Sequence, residues 1–544
     1  MPARSTLAGL LVMLVAAPAA AQRDGQSGTI SIVIGAEPTL PVPTLSLAKA
    51  NTDVASLLFL PLARLGRRMV TTDEKSYEPA LARSWRRTDS VTLVFELDER
   101  ARWHDGTPVT PRDVVWSVNR ARDSTVSPTY ALLLRNIASV TATGPRQVTF
   151  RFRHAYGDQM FDAVSNAVPL PAHLLDTIPA ARLASSAYVS RPVGNGPFRW
   201  GRLEPGRQLE LAAVPDFFLG APKLHRVVFL VVRAAEAQLN LVLDGTADAY
   251  EASLLPRQIT PIMEQPHLDI KTQSSFSVGY LLFNQRAAGN RSQPHPILAD
   301  REVRHAISLA IDRQRLVRSV FGPYASIVDG PMGQATWIRR HTAKGPAFDP
   351  AEARRILASR GWRDSDGDGY LDKDGARLTL RLIYPGTSTP RVSMAEPIQA
   401  MLRQVGIQVE LQRLDGPVWA ERRGKGEFDI DFSQATLVPT PAGLVQSWSC
   451  AGVGGSNVGS ACNPSFDEAY AAAVRATGSA AAERWHDAIA ILQRDYPAVF
   501  LYSPAQALVV HRRYRDVSIR PDGTWTDLWR WSVDPARRIA RDQR

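Results

Sequence analysis

The amino-acid sequence predicts an α/β protein that contains more than one folding unit. The chain has 544 residues, of which 44% are hydrophobic and 22% charged, so its core is too large for one small domain. Strand-like and helix-like stretches alternate along it, for example at 378–384, 393–405, 407–411 and 427–432. This alternation favours α/β units with mainly parallel strand pairing.

The clearest local pattern lies at 91–121, where a strand, a turn and a helix follow each other. Apolar residues alternate from Val91 to Leu97, as in a half-buried strand. An Asp-Gly dipeptide at 105–106 predicts a tight turn. Thr110 is a suitable N-cap, Pro111 suits the first helical position, and Asp113 completes a variant capping box. We therefore expect a helix from residue 111 to residue 121.

The same patterns predict further elements along the chain. Strands are predicted at 29–34, 148–152, 227–232, 278–284, 499–510 and 525–531. Helices are predicted within 54–68, where the helix leads into a strand, and at 300–321 and 351–361.

The net charge of +11 does not predict a nucleic-acid partner. The basic residues are dispersed among Asp and Glu and form no long runs. A solvated mixed-charge surface with a positive bias is the favoured interpretation.

The N-terminus predicts export from the cytoplasm. Arg4 precedes an apolar run at 7–15, and Ala19–Ala21 forms an A-x-A cleavage site. The run is too short to span a membrane. We predict a signal peptide at 1–21 and a mature periplasmic protein that starts near Gln22. Because no Cys follows the cleavage site, no lipid anchor is expected.

The only two cysteines of the sequence, Cys450 and Cys462, are predicted to form a disulfide bond. A close pair in an oxidising compartment is more often bonded than free. Two thiols without neighbouring Cys or His ligands make a poor zinc site.

A short acidic motif gives a weak calcium candidate. Asp364, Asp366 and Asp368 occupy positions 1, 3 and 5 of an EF-hand-like loop, with Gly369 at position 6. Position 12, however, is Gly375 and not Glu. A charged surface turn is therefore favoured, and we expect no resident metal and no cofactor.

Several segments contain sequence motifs that are typical of one protein family. Residues 80–121 follow the form LA-x-SW, F-x-L, W-H-D-G-T-P, D-V-x-W-S, and the V-G-N-G-P-F turn begins at Val193. The segments PDFF at 215–218 and DREVRHAISLAIDR at 300–313 agree in the same order. Together they resemble the extracytoplasmic solute-binding proteins of family 5, which feed peptide, nickel and related ABC importers.

The resemblance covers about residues 29–531 and implies an architecture. It implies a two-lobed periplasmic binding protein with a hinge, of type II and similar to cluster C, with an extra subdomain on lobe I. Lobe I would comprise 22–55, 186–270 and 500–544, the extra subdomain 56–185, and lobe II 271–499. The resemblance further implies a small solute or peptide ligand and inner-membrane permease subunits as partners. We expect the protein to be a monomer.

The resemblance also implies ligand-binding residues. Glu37 and Pro38 match the family's E-P loop, although Pro41 replaces its usual Asp. Asn284 ends the Y-x-x-F-N segment near the crossover between lobes. Arg391, just before a predicted helix, lies where peptide-binding members place a basic residue for the ligand carboxylate. A surface arginine is the competing interpretation.

A second set of candidates follows the predicted strand that ends at Phe432. Ser433, Gln434 and Thr436 occupy the segment in which dipeptide-binding relatives carry an Asp for the ligand ammonium. No acid lies between Ser433 and Cys450. Because a buried cation without a partner is costly, we predict that this segment does not hold a free amino terminus.

Two other functions compete with solute binding. A secreted hydrolase would need a nucleophile or metal motif, and G-x-S-x-G and paired-His patterns are absent from the sequence. A periplasmic binding or chaperone module without transport stays open. Loops determine ligand specificity on a shared fold.

Overall fold

The computed structural model describes residues 28–252, 255–341 and 343–543. The predicted signal peptide at 1–21 lies outside the described residues. Among the described residues, no helix is both long enough and apolar enough to cross a membrane.

Residues 28–190 contain the first strand of the main sheet and a separate small sheet with its helices. The elements are β1 Thr29–Ile34, α1 Lys49–Leu58, β2 Ala63–Leu65, β3 Tyr77–Pro79, β4 Ala82–Asp89, β5 Thr92–Leu97, α2 Pro111–Ala121, α3 Pro128–Leu133, β6 Ile137–Ala142, β7 Gln147–Phe152, α4 Gln159–Ser165, α5 Ala172–Leu175 and α6 Ala187–Ser190.

The next segment returns to the main sheet. Its elements are β8 Phe198–Glu204, β9 Gln208–Ala213, β10 Arg226–Val231, α7 Ala235–Leu243, β11 Ala249–Ala252, α8 Pro256–Met263 and β12 Leu268–Ser274.

The remaining elements form the second half of the molecule and the returning tail. They are β13 Ser277–Phe283, β14 Arg286–Ala287, β15 Asn290–Pro294, α9 Arg301–Leu309, α10 Arg313–Phe321, β16 Ala325–Ile327, α11 Pro350–Ser359, β17 Asp372–Lys373, β18 Ala376–Arg377, β19 Thr379–Pro385, α12 Thr389–Gln404, β20 Gln408–Leu414, α13 Gly416–Lys425, β21 Ile430–Thr436, α14 Leu444–Trp448, α15 Pro464–Arg475, α16 Ser479–Asp495, β22 Ala498–His511, β23 Tyr514–Arg515 and β24 Ser532–Val533.

One large sheet runs through both lobes, in the order β20-β19-β21-β13-β22-β11-β1-β10-β9-β8, with β12 and β16 also paired to β22. The first part of β22 pairs with β13 at 498–502, and its second part pairs with β12 at 505–511. The chain therefore passes between the lobes twice, side by side, at 275–276 and at 503–504.

The prediction of mainly parallel pairing is wrong. Strands β1, β10 and β11 are parallel, as are β19, β20 and β21. The long strand β22 and the β8–β9 hairpin pair antiparallel with their neighbours, however. The small sheet β4-β5-β7-β6 is antiparallel throughout. Hairpins need only short connections, and sequence periodicity does not distinguish them from crossovers.

The buried apolar residues fall into separate clusters on the two sides of the crossings. One cluster joins β1, α1 and the small sheet, and includes Ile32, Leu58 and Phe150. Two others fill the opposite side, around Leu382 in β19 and around Trp485 in α16. Each side therefore has its own core, which is the organisation of two lobes.

Local patterns identified some elements correctly and others incorrectly. The helix at 111–121 is confirmed, and the Thr110 N–H donates to Asp113 Oδ2 at 2.8 Å. The helix predicted at 300–321 is two helices, because Asp312 caps a second start by accepting from Arg315 N. The strand predicted at 525–531 is also wrong. A short 3₁₀ turn lies there, and the indole of Trp531 is fully buried.

Candidate functional site

The gap between the lobes lies at the carboxyl ends of both groups of parallel strands. In lobe I, β11 and β12 both run antiparallel to β22, so they point in the same direction. Since β12 ends at the crossing, β11 also ends on that side. In lobe II, β21 runs antiparallel to β13, which starts at the crossing. The ends of β1, β10 and β11 therefore face the ends of β19, β20 and β21. Open α/β sheets bind ligands at this edge.

Arg391 lies on the lobe II side of the gap, in the first turn of α12 and not before it. Its guanidinium lies over the Trp419 ring, 5.4 Å from the centroid, and Nη1 donates to Phe432 O at 3.2 Å. The Nε atom has no acceptor among the described residues. Burial lowers the pKa of Arg391. A desolvated guanidinium with unused donor capacity is suited to bind an anionic group.

A buried carboxylate positions the side chains around Arg391. Asp431, which is 0% exposed, accepts from Trp419 Nε1 and from Arg423 Nε, each at 2.8 Å. Ser433 Oγ also donates to it at 2.5 Å. The carboxylate thereby fixes the indole on which Arg391 stacks. Ser433 belongs to strand β21, which continues past Phe432 to Thr436.

Gln434 and Thr436 project from the exposed end of β21. Gln434 Oε1 accepts from the Tyr502 hydroxyl at 3.2 Å, and Thr436 shares a hydrogen bond with Ser277 at 2.8 Å. Burial raises the pKa of Tyr502 to about 12, so the phenol stays protonated at neutral pH. The Tyr502 ring lies directly on Gly279, where a Cβ would come within 2.2 Å of it. Gln434 and Thr436 therefore offer polar groups at the gap, and the fully buried Tyr502 lies behind them.

The lobe I wall is richer in carboxylates. Glu37 follows β1 and accepts from Gly206 N at 2.6 Å, and Pro38 beside it is buried. In β11, Glu251 binds Lys49 Nζ at 2.8 Å, and its Oε1 has no donor among the described residues. Near the gap, lobe I therefore contributes the carboxylates Glu37 and Glu251, the second of them paired with Lys49, and lobe II contributes the guanidinium of Arg391.

The two lobes meet across the gap through the starts of two helices. Arg257, at the start of α8, donates from Nη2 to Thr389 Oγ1, at the start of α12, at 3.4 Å. This contact spans the gap from lobe I to lobe II, so the structure represents a conformation in which the lobes touch.

Asn284 is not brought to this gap. It lies just after the far end of β13, is 1% exposed, and donates to the carbonyls of Gly426 and Phe428. The side-chain oxygen Oδ1 of Asn284 accepts a hydrogen bond from Arg286 N at 3.1 Å. These bonds fix the loop before β21, which is a structural role.

The disulfide between Cys450 and Cys462 is confirmed, with a Cα–Cα distance of 4.4 Å. It closes the loop between α14 and α15. The amide of Cys450 also donates to both carboxylate oxygens of Asp467, at 3.3 and 3.2 Å.

The weak calcium candidate is an exposed turn. Asp364, Asp366 and Asp368 can each present a carboxylate oxygen within 4.8 Å of the others. Asp364 accepts from two glycine amides of the turn, however, and Arg377 pairs with both other carboxylates. These contacts fit the charged surface turn that the sequence favours.

Arg423, Asp431 and Glu251 were not predicted from the sequence as residues of the site. A signal for one of them is present in the sequence, since Asp431 interrupts the apolar strand pattern FDIDF. A buried carboxylate needs a cation or several donors. Its partner Arg423 lies on the preceding helix, and only the fold reveals that pairing.

The architecture defines a class of protein, namely two lobes joined by paired crossings around a polar gap. Residues 76–455 match the family described as "Bacterial extracellular solute-binding proteins, family 5 Middle". The chain belongs to the family 5 bacterial extracellular solute-binding proteins. The predicted two-lobed fold and the predicted class of function, the solute-binding component of an ABC importer, are confirmed. The hydrolase alternative is not favoured.

Several bacterial binding proteins are similar to this protein over most of its length. The oligopeptide-binding protein AppA of Bacillus subtilis (strain 168) is 27% identical over 420 residues, 76% of this chain and 74% of that protein. The structure of Bacillus subtilis AppA with a nonapeptide has a TM-score of 0.73 and 23% identity, covering 94% of this chain and 99% of that one. The structure of NikA from Brucella suis with Fe(III)-EDTA has a TM-score of 0.80 and 18% sequence identity, and the match covers 93% of this chain and 100% of that one.

Proposed function

We propose that this protein captures an oligopeptide-like or other small solute between its lobes and delivers it to the permease of an ABC importer. One observation carries the proposal. Arg391 lies at the gap, partly desolvated, held over Trp419, and with unused donor capacity. The name of AppA, an oligopeptide-binding protein, supports the same class of ligand.

The charge of the two walls suggests how such a ligand is oriented. A ligand carboxylate would pair with Arg391, while the lobe I carboxylates Glu37 and Glu251 would face its cationic groups. Gln434 and Thr436 would offer neutral hydrogen bonds to its backbone. Asp431 is paired with Arg423 and would not be free to bind an amino terminus, so we keep the prediction that the segment after Phe432 does not hold one.

Peptide titration with a matched pair of variants tests this proposal. Isothermal titration of a pool of short peptides should give saturable binding to the wild type. Arg391→Gln should weaken the affinity at least tenfold for peptides with a free carboxylate and much less for their C-terminal amides. Arg354→Gln, an exposed arginine of the same lobe that binds Gln404 O, is the control. Equal loss for acids and amides would count against the role of Arg391.

We further propose that the boundaries between lobe I and lobe II lie at the two crossings, close to the predicted limits at 270 and 500.

The protein would act as a monomer. It would be exported, with cleavage before Gln22 and without a lipid anchor, and it would bind its ligand without turnover. Mass spectrometry of the mature protein, size-exclusion chromatography and analysis of recovered peptides test these points. Cleaved peptide in the last experiment would contradict the non-enzymatic role.

A further inference from the structure

In addition to the gap between the lobes, a cavity lies away from the paired crossings, where lobe I meets the extra subdomain. Its volume is about 260 Å³, slightly below the roughly 300–1,000 Å³ of typical small-molecule pockets. The lining comes from the loop after β1, from α1, β2, α3 and α4, and from the C-terminal tail. Its apolar lining residues include Val42, Pro43, Ala55, Phe59, Tyr130 and Val168.

One charged side chain of this cavity has no direct hydrogen-bond or ion-pair partner among the described residues. Arg64 lines it from β2, and burial lowers its pKa to about 10. Its guanidinium forms no hydrogen bond and no ion pair within the described part of the chain. Glu78 lies opposite Arg64 in the β2–β3 pairing but is not within ion-pair distance.

The neighbouring charges are already paired with one another. Arg520 binds Asp522 through Nε and Nη2 at 2.9 and 2.8 Å. Asp527 accepts from Arg67 Nη2 at 2.5 Å. Asp527 and Asp522 therefore offset the charge of Arg64 only from a distance. Its guanidinium keeps donors at the cavity that no described residue accepts, and burying them without an acceptor costs folding free energy.

We propose that this cavity binds a small monocarboxylate with an apolar body, and that Arg64 holds the carboxylate. A guanidinium forms two parallel hydrogen bonds to a planar carboxylate, and apolar walls take up the remainder of such a molecule. One unpaired arginine matches one negative charge, which favours a monocarboxylate over inorganic phosphate. The site is separate from the proposed peptide site and does not depend on it.

Phenylacetate and its neutral amide, phenylacetamide, form a matched pair of probes. Titration of the full chain should show that phenylacetate binds at least tenfold more tightly than phenylacetamide, with inorganic phosphate weaker than phenylacetate. Arg64→Gln should abolish that preference, and Arg64→Lys should retain part of it. Arg112→Gln, an exposed arginine paired with Asp176, should leave it unchanged.

Two further measurements place the molecule in this cavity. Ser165→Trp replaces an exposed lining residue and should block both probes while leaving the melting temperature within a few degrees of the wild type. Saturation with a tightly bound peptide should leave phenylacetate binding intact. The proposal is overturned if neither probe binds, if acid and amide bind equally, if Arg64→Gln keeps the preference, if Ser165→Trp still binds, or if peptide displaces the acid.

Discussion

The hydroxyl of Thr440 donates a hydrogen bond to the carboxylate of Asp158, a residue 282 positions earlier in the chain. Asp158 precedes α4, in the segment that carries the small sheet, and Thr440 lies between β21 and α14, so this buried bond joins two segments that are distant in the sequence. The amide of Gly157 next to it donates to Val474 O at 3.0 Å. Burial raises the pKa of Asp158.

Removing this contact should destabilise the protein measurably. Thr440→Val keeps the shape of the side chain but leaves a buried carboxyl group without its donor, which costs roughly 1–3 kcal/mol. Urea unfolding at fixed pH measures the change. Thr143→Val is the control, because Thr143 shares only an exposed hydrogen bond with Thr149, and it should change the free energy of unfolding by less than about 0.5 kcal/mol. Equal values for both variants would contradict this account.

Asp162 should make stability depend on pH near neutrality. Burial raises its pKa to about 7, and it accepts from the Tyr156 hydroxyl at 2.6 Å. The folded state then binds a proton that the unfolded state releases near pH 4. Stability from this group is therefore present at low pH and is lost as pH rises from about 4 to about 7.

The Asp162→Asn variant isolates that contribution. The free energy of unfolding of the wild type minus that of the variant should fall by roughly 2–4 kcal/mol between pH 4 and pH 8. The Asp158 carboxyl group nearby is present in both proteins, so its own titration largely cancels. Asp123→Asn, at an exposed carboxyl whose pKa is lowered by bonds to Thr125, should show a small trend of opposite sign. A pH-independent difference for Asp162→Asn would refute the assignment.

The ion pair between Arg423 and Asp431 should be costly to break from the arginine side. Arg423→Gln leaves the fully buried Asp431 with Trp419 and Ser433 as its remaining side-chain donors in the described part of the chain. Because Arg423 itself is 29% exposed, we expect a loss of roughly 2–4 kcal/mol rather than the about 3–5 kcal/mol of a fully buried pair.

The neighbouring arginine provides the control for this experiment. Arg422 binds the neutral Gln412 side chain, so Arg422→Gln should cost less than about 1 kcal/mol. The double variant Arg423→Gln with Asp431→Asn should recover part of the loss, because the buried charge is then removed. Additive losses would show that the two groups do not interact.

The parts of the fold that could be predicted from sequence are those fixed by neighbours in the chain. The helix after Thr110 was predictable because its cap, first proline and acidic third residue are consecutive. The mixed direction of the main sheet was not, because the long strand β22 pairs with β11, β12 and β13, which lie more than 200 residues away. Periodicity gives the face of a strand but not the direction of its partner.

The candidate site divides in the same way. Arg391, Gln434 and Thr436 were found through resemblance, and the fold brings them to one wall of the gap. Asn284 carries an equally recognisable motif, yet its amide is bound to two carbonyls at the far end of its strand. A motif records that a residue type is needed there, and only the tertiary contacts distinguish a ligand-binding role from a structural one.

The disulfide should stabilise the loop between α14 and α15 largely by restricting the unfolded chain. The cysteines are 12 residues apart, and closing a loop of this length corresponds to about 2–3 kcal/mol in the chain-entropy model. The double variant Cys450→Ser with Cys462→Ser should lose this amount in urea unfolding. Wild-type protein unfolded in the presence of a thiol reductant should match the double variant, and reductant should have no effect on the double variant itself. If reduced wild type stayed as stable as oxidised wild type, the bond would not contribute to the stability of the folded protein.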